Sequence, residues 1–326
     1  MNTILQLSNG QKSLYDAIYK EICRESYNIK LPLSFPKKSV NILVKLILGD
    51  HPELINIDNC CVYFSCAGLF NILKLQPVFK KSEYIKAKNL FDTEVNRILS
   101  SIIKPGTNIV QQTLAIHDYL VSNVAYDEAE LHRTRYSVLS HTAYGAIVDK
   151  NAVCEGLSYA FSLLAHKAGI EATVVNGIVD GGEHSWNIVK LGSDFYHIDI
   201  TGDLKEKSAD LSKCYDYFCL SDDDIANRDW DKKIYPSCTS SRFSYFTVTK
   251  SYAHDESQMR EIMLRQFSQY KKLYFKFDFI NCDEDTVADY IWDVFQDVAH
   301  KNGLSVGPVT VSLSRGNSIF TLTQRN

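Results

Sequence analysis

Residues 154–203 leave the chain few ways to fold. Leu157, Phe161, Leu164 and Ala168 fall at i, i+4, i+7 and i+11, and this spacing predicts the buried face of a helix over about Cys154 to Lys167, stopped by Gly169. Three segments then read as strands: Ala172 to Gly177, His184 to Leu191 and Asp194 to Ile200. Only Gly192-Ser193 separates the last two. Glycine at the first central position suits a two-residue type II′ hairpin, which needs a positive φ there. A helix followed by a tight antiparallel hairpin is a unit that packs helix against sheet.

That hairpin fixes a register. Pairing Leu191 with Asp194 sets Trp186 opposite Asp199 and leaves His184 on the same sheet face, one diagonal step away. Diagonal neighbours lie ~7–8 Å apart, within reach of long side chains. A three-residue loop would put the two on opposite faces. Cys154 meanwhile begins the helix, where unsatisfied N–H groups and the macrodipole favour an anion. The thiolate is the reactive form of cysteine, and the same N–H groups can cradle the oxyanion of an attacked carbonyl. Taken singly, these residues read as a buried thiol, a surface histidine and a surface aspartate. Together they supply a nucleophile, a base and an orienter.

Bulk properties exclude several other classes. A length of 326 residues suggests two or three domains, because single cores stop growing near ~250 residues. The net charge of −4 gives no basic signal for nucleic acid. No run reaches the ~18 apolar residues of a membrane span, and Val40 to Leu48 is short and broken by Lys45. Met1 to Gln11 is polar and shows no signal-peptide pattern, so a cytoplasmic location is expected, although a trimmed secreted chain would look the same. The nine cysteines are odd in number, which fits a reduced compartment. No Cys-x2-Cys pair exists, and Cys214 and Cys219 have no partner pair at zinc-finger spacing, so no metal or cofactor is expected. Cysteines other than Cys154 read mostly as small buried hydrophobes.

Three regions are expected. Residues 1–105 read as mostly helical with a hairpin: helices over Gln11 to Ser26, Ser39 to Leu48 and Glu94 to Ile103, and strands over Val62 to Ser65 and Phe70 to Leu75. Pro32 and Pro36 interrupt the first part, and Pro105-Gly106 marks the boundary. Residues 106–250 form the core. There Val110, Leu114, His117, Val121 and Val124 define a helix face, with His117 a satisfied core histidine. Residues 251–326 read as a small β-α-β-β domain: a strand over Leu273 to Phe279, a helix carrying Val287, Ile291, Val294 and Val298, a strand at Val309 to Leu313, a turn at Gly316-Asn317, and a strand from Ile319 to Thr323. Nothing in that domain looks catalytic, and the flanking regions read as packing or docking domains.

Three blocks carry a resemblance: Ala152-Val153-Cys154-Glu155-Gly156, His184-Ser185-Trp186-Asn187, and Tyr196-His197-Ile198-Asp199-Ile200-Thr201. They resemble the bacterial transglutaminase-like superfamily, as do the runs His117 to Asp127 and His141 to Ala146 upstream and Tyr217 to Asp222 and Tyr235 to Cys238 downstream. The resemblance covers roughly Thr107 to Lys250. It implies an α+β, papain-like transglutaminase core with Cys154 as nucleophile, His184 as base and Asp199 as orienter. One departure stands out. Many relatives place Trp-Asp after the third block, where this chain has Gly202-Asp203. An aromatic wall beside the triad would then be missing. Tyr144 is a candidate second oxyanion donor, and Trp186 is expected to pack beside the histidine and shield the site.

The expected activity is acyl transfer at amide carbonyls of a protein or peptide substrate, through an acyl-thioester. Hydrolysis is favoured and transamidation uses the same triad. The alternative is a non-catalytic transglutaminase-like protein-binding module, since fold alone does not fix function. A zinc site built on Cys154, His184 and another cysteine is a third reading.

Overall fold

The computed structural model describes residues 7–32, 37–66, 71–131, 137–206, 214–281, 283–314 and 318–324, without the side chains of 59–66, 130–131 and 205–206. The expected turn at Gly316-Asn317, the start of a strand at Phe70, and Pro36, Cys282 and the side chains of Cys60, Cys61 and Cys66 lie outside what is described. The chain divides into two compact units, Met1–Leu204 with Leu220–Ser240, and Lys205–Cys219 with Ser241–Asn326. Residues 1–105 belong to the first. No helix among the described residues is long and apolar enough to cross a membrane.

In the first unit, the predicted cysteine helix spans Cys154–Lys167. It ends in a Schellman motif: Gly169 takes a φ of +80°, Ile170 N–H donates to Ala165 O at 2.9 Å, and Gly169 N–H donates to His166 O at 3.0 Å. Leu157, Phe161 and Leu164 are buried as the spacing requires, but so is every residue from Glu155 to Ala165. The helix is therefore central, enclosed by the helices Lys37–Asp50 and Ile109–Asn123 and by the sheet. Gly156 is one cause of the tight fit. A Cβ there would sit 2.3 Å from Ser140 O and 2.8 Å from Thr142 O, so only glycine lets the first turn approach that backbone.

Four strands of the five-stranded sheet beside this helix run Arg228–Trp230, Ala172–Val179, Gly182–Leu191, Asp194–Ile198, each antiparallel to the next. Leu191 pairs with Asp194 across Gly192-Ser193, and Gly192 has a φ of +69°. The preceding turn, Asp180-Gly181, has positive φ at both residues (50° and 79°), the type I′ signature of an Asp-Gly hairpin. It joins two strands longer than the sequence pattern predicts. The third strand is shorter: it stops at Ile198, and a helix begins at Ile200. Asn187, fully buried, donates from Nδ2 to Ser158 O at 3.0 Å and so ties the histidine strand to the cysteine helix.

The helix Ile109–Asn123 starts with a capping box in which Asn108 and Gln111 bond each other's backbone N–H groups. Its buried residues are Thr113, Ile116, His117, Leu120 and Val121, a stripe rotated from the predicted one. Thr113 is able to sit inside because its hydroxyl donates to Ile109 O at 2.8 Å. The N-terminal part adds helices Asn9–Cys23, Lys37–Asp50 and Lys81–Ile102 and a sheet ordered Asn28–Leu31, Asn71–Gln76, Asp58–Cys66. The expected hairpin thus gains a third strand.

The second unit holds a four-stranded sheet ordered Tyr252–Ala253, Lys272–Phe277, Ile319–Gln324, Val309–Ser314. The predicted helix spans Glu284–Lys301. A second helix, Glu256–Tyr270, was not anticipated. It is mostly polar, and Met259, Ile262, Met263 and Phe267 alone carry its buried face. Phe267, Phe275, Phe295 and Phe320 form the centre of this unit's core.

Candidate active site

Cys154, the first residue of its helix, is partly exposed at the floor of a cleft of about 1050 Å³. Tyr126, His141, Glu155, Asn176, His184 and Trp230 are among the residues lining it. His184, on the strand Gly182–Leu191, places Nε2 2.8 Å from Asp199 Oδ2. Cys154 lines the cleft beside the same imidazole and acts on its protonation, while Nε2 is engaged by Asp199. The three residues singled out in the sequence thus converge.

The route by which Asp199 arrives differs from the expected one. It does not stand on a strand opposite Trp186, because the strand has ended at Ile198. Asp199 sits in the joint between strand and helix, where Oδ1 accepts the backbone N–H groups of Thr201 at 3.0 Å and Gly202 at 3.1 Å. Its Oδ2 serves His184 and also accepts from Arg228 Nη1. Burial alone would push this carboxyl up. The charges of His184 and Arg228, with their hydrogen bonds, hold it far below the usual carboxylate range. Burial likewise pulls His184 down from its ordinary 6.5, but the Asp199 charge and hydrogen bond, helped by Cys154, hold the imidazole up at about 9.

Arg228 escaped sequence reasoning. Its side chain is 4% exposed and lies 5.3 Å over the Trp186 ring, a cation–π contact that the desolvated setting strengthens. Nothing in Arg228-Asp229-Trp230 marks it, since the short strand pairs with Gly177 to Val179 about fifty residues earlier.

Trp186 is fully buried and stacks beside His184 at 6.0 Å, so it backs the histidine as expected but cannot touch a substrate. Its indole N–H donates to His197 Nδ1 at 3.0 Å, and His197 Nε2 meets Asp222 Oδ1 at 2.8 Å. Tyr144 is not a cleft residue. Its ring packs against Phe79 and Phe91, because the turn before Gly145 directs it into the core.

Two groups bear on metal binding. Among the described residues, Cys154 and His184 belong to no cluster of ligating groups, against the zinc reading. His197, Asp222 and Cys238 do lie close together. However, Trp186 donates to His197 Nδ1, which puts the imidazole proton on Nε2, facing Asp222. A neutral ring so arranged has no lone pair left for a cation. Burial, aided by Arg228 and Lys232, pulls this imidazole down to about 4, in keeping with its neutral form.

Residues 96–200 match the family model described as the transglutaminase-like superfamily. The resemblance carried by the three motif blocks is therefore borne out over that segment, which holds Cys154, His184 and Asp199. The match supports a cysteine-dependent enzyme in general terms. Two solved structures also align. A TGase does so at 16% identity with a TM-score of 0.31, over 43% of this chain and 44% of its own. A candidate cysteine protease from Cytophaga hutchinsonii does so at 14% identity with a TM-score of 0.29, over 52% of this chain and 70% of its own. The chain spans less than half the length of that TGase, and neither likeness is close enough to bear on the fold. No curated protein matches.

Proposed function

We propose that this protein is a cysteine-dependent acyl-transfer enzyme acting on amide carbonyls, with Cys154 as nucleophile, His184 as acid and base, and Asp199 as the group that orients the imidazole. The observation that carries the reading is the 2.8 Å bond between His184 Nε2 and the buried Asp199 carboxylate, on an imidazole that lines the same cleft as Cys154. At neutral pH an imidazole held at about 9 is protonated, and an imidazolium beside a helix N-terminus favours the thiolate. The Cys154 sulfur attacks the carbonyl carbon and a C–S bond forms. As the C–N bond breaks, His184 passes its proton to the departing amine, leaving an acyl-thioester. The now neutral His184 takes a proton from water, the hydroxide attacks, and the C–S bond breaks to release the acid. Hydrolysis of a peptide or another amide is favoured because water is the default acceptor; an amine in its place gives transamidation. A protein or peptide substrate suits a cleft of this volume.

Iodoacetamide labelling mapped by mass spectrometry tests the nucleophile without a known substrate. Cys214, Cys219 and Cys238 are buried, so exposed Cys23 is the internal reference. At pH 6 an ordinary thiol with a pKa near ~8.5 is under about 1% thiolate, and Cys154 should label at least about tenfold faster than Cys23. The Cys154→Ala chain should fold and lose that label. Equal rates for Cys154 and Cys23 at pH 6 would sink the proposal.

A further inference from the structure

With Tyr144 in the core, the second oxyanion donor is unassigned. A carbonyl oxygen that becomes negative on attack needs preorganised donors about 2.7–3.1 Å away, and one backbone N–H alone is a weak cradle. The Cys154 N–H is the first donor, because the opening N–H groups of a helix have no partner within it and the N-cap residue, Val153, has no side-chain acceptor to offer. We infer that the phenol of Tyr126 is the second donor, so that Tyr126 is a further catalytic residue of the acyl-transfer reaction proposed above, on which this inference rests.

The placement follows from a short piece of parallel sheet. Ala125–Tyr126 pairs with Asn151–Ala152, with Tyr126 opposite Ala152, and Asp127 N–H donates to Ala152 O at 3.1 Å. The pairing fixes Tyr126 against the segment that leads straight into Cys154. Tyr126 lines the same cleft as Cys154 and His184, and its phenol is near enough to the Cys154 N–H for that group to act on its protonation. Phenol and N–H thus stand on the same side of one cleft, close to the sulfur. A substrate oxygen seated there takes over the N–H, and the phenol turns its O–H to the same oxygen. Burial first, then the nearby Cys154, Glu128 and Asp199, push the phenol above its ordinary pKa of 10, so it keeps the proton a donor must have. In the sequence Tyr126 lies in the run His117 to Asp127, among residues with helical spacing, and nothing local distinguishes it from a helix-end core tyrosine.

The test separates two reactions of one sulfur. p-Nitrophenyl acetate acylates Cys154 through an oxyanion, whereas iodoacetamide alkylates it by displacement and forms none. In Tyr126→Phe, acylation, followed as nitrophenol release and as the acetyl mass on Cys154, should fall about 100-fold, the lower range for loss of one such donor. Alkylation should stay within about twofold, which also shows that the site is folded and the thiolate intact. Acylation at the wild-type rate would overturn the inference. So would a parallel fall in both reactions, which would make Tyr126 a support of the thiolate instead. The underlying reading fails differently: wild type and Cys154→Ala would then release nitrophenol equally, before Tyr126 is changed at all.

Discussion

Arg228 donates to the same Asp199 oxygen, Oδ2, that His184 uses. The carboxylate is thus divided between two cations while its other oxygen is satisfied by two backbone N–H groups. Such an aspartate is held in one orientation, and the imidazole it grips is held with it. The Arg228 charge at that carboxylate repels an imidazolium and so offsets part of what Asp199 does for His184.

Replacing Asp199 with Asn should therefore have two effects. Asn cannot support the imidazolium, so acylation of Cys154 by p-nitrophenyl acetate should fall on the order of 10³-fold or more, and alkylation at pH 6 should slow with it. Arg228 is also left buried without its carboxylate, which should cost about 3–5 kcal/mol in urea unfolding. Wild-type rates for both reactions would refute Asp199 as the orienter.

Arg228→Met tests the sharing itself. Methionine keeps an apolar contact with Trp186 and removes the charge. The repulsion from Arg228 is then gone, and the His184 titration, followed by NMR, should move up from that of the wild type. The alkaline limb of Cys154 acylation should move up with it, since the reaction loses its proton donor when His184 deprotonates. A His184 titration that stays in place would mean that Arg228 only packs.

The buried pair of His117 and Asp203, 2.8 Å apart, predicts a stability that depends on pH. Burial lowers the His117 pKa, but its hydrogen bonds to the carboxylates of Asp118 and Asp203 and their charges outweigh it, and the pKa lies above its ordinary 6.5. A histidine raised in the folded state contributes fully below 6.5, and the contribution is lost as pH rises through the folded value. Asp203→Asn should thus lose about 3–5 kcal/mol against wild type at pH 6 and clearly less at alkaline pH. Comparing the two chains at each pH cancels the His184 contribution. Equal losses at both pH values would show a neutral hydrogen bond in place of an ion pair.

Much of the site was legible because its signals are local. The helix limits at Cys154 and Lys167 follow from spacing and from Gly169, and the pairing of Leu191 with Asp194 follows from a turn that only a two-residue loop with leading glycine makes. One local signal went unread: Asp180-Gly181 is an Asp-Gly hairpin, and it would have lengthened two strands. The helix Glu256–Tyr270 was missed because its apolar face is thin and its polar residues dominate the pattern.

By itself the sequence determined the order of elements in the core, the placing of Cys154 at a helix start, and the nearness of His184 to Asp199 within one hairpin. These depend on backbone periodicity, glycine φ and loop length, all fixed within a few residues. Only the tertiary structure decided the rest. The burial of Trp186, the removal of Tyr144 to the core, the arrival of Tyr126 beside the Cys154 N–H, and the grip of Arg228 on Asp199 each join segments from about eleven to seventy residues apart. No local pattern encodes such a meeting. It exists because the cysteine helix is buried along most of its length, and whichever side chains the neighbouring segments present there must satisfy one another's charges and hydrogen bonds.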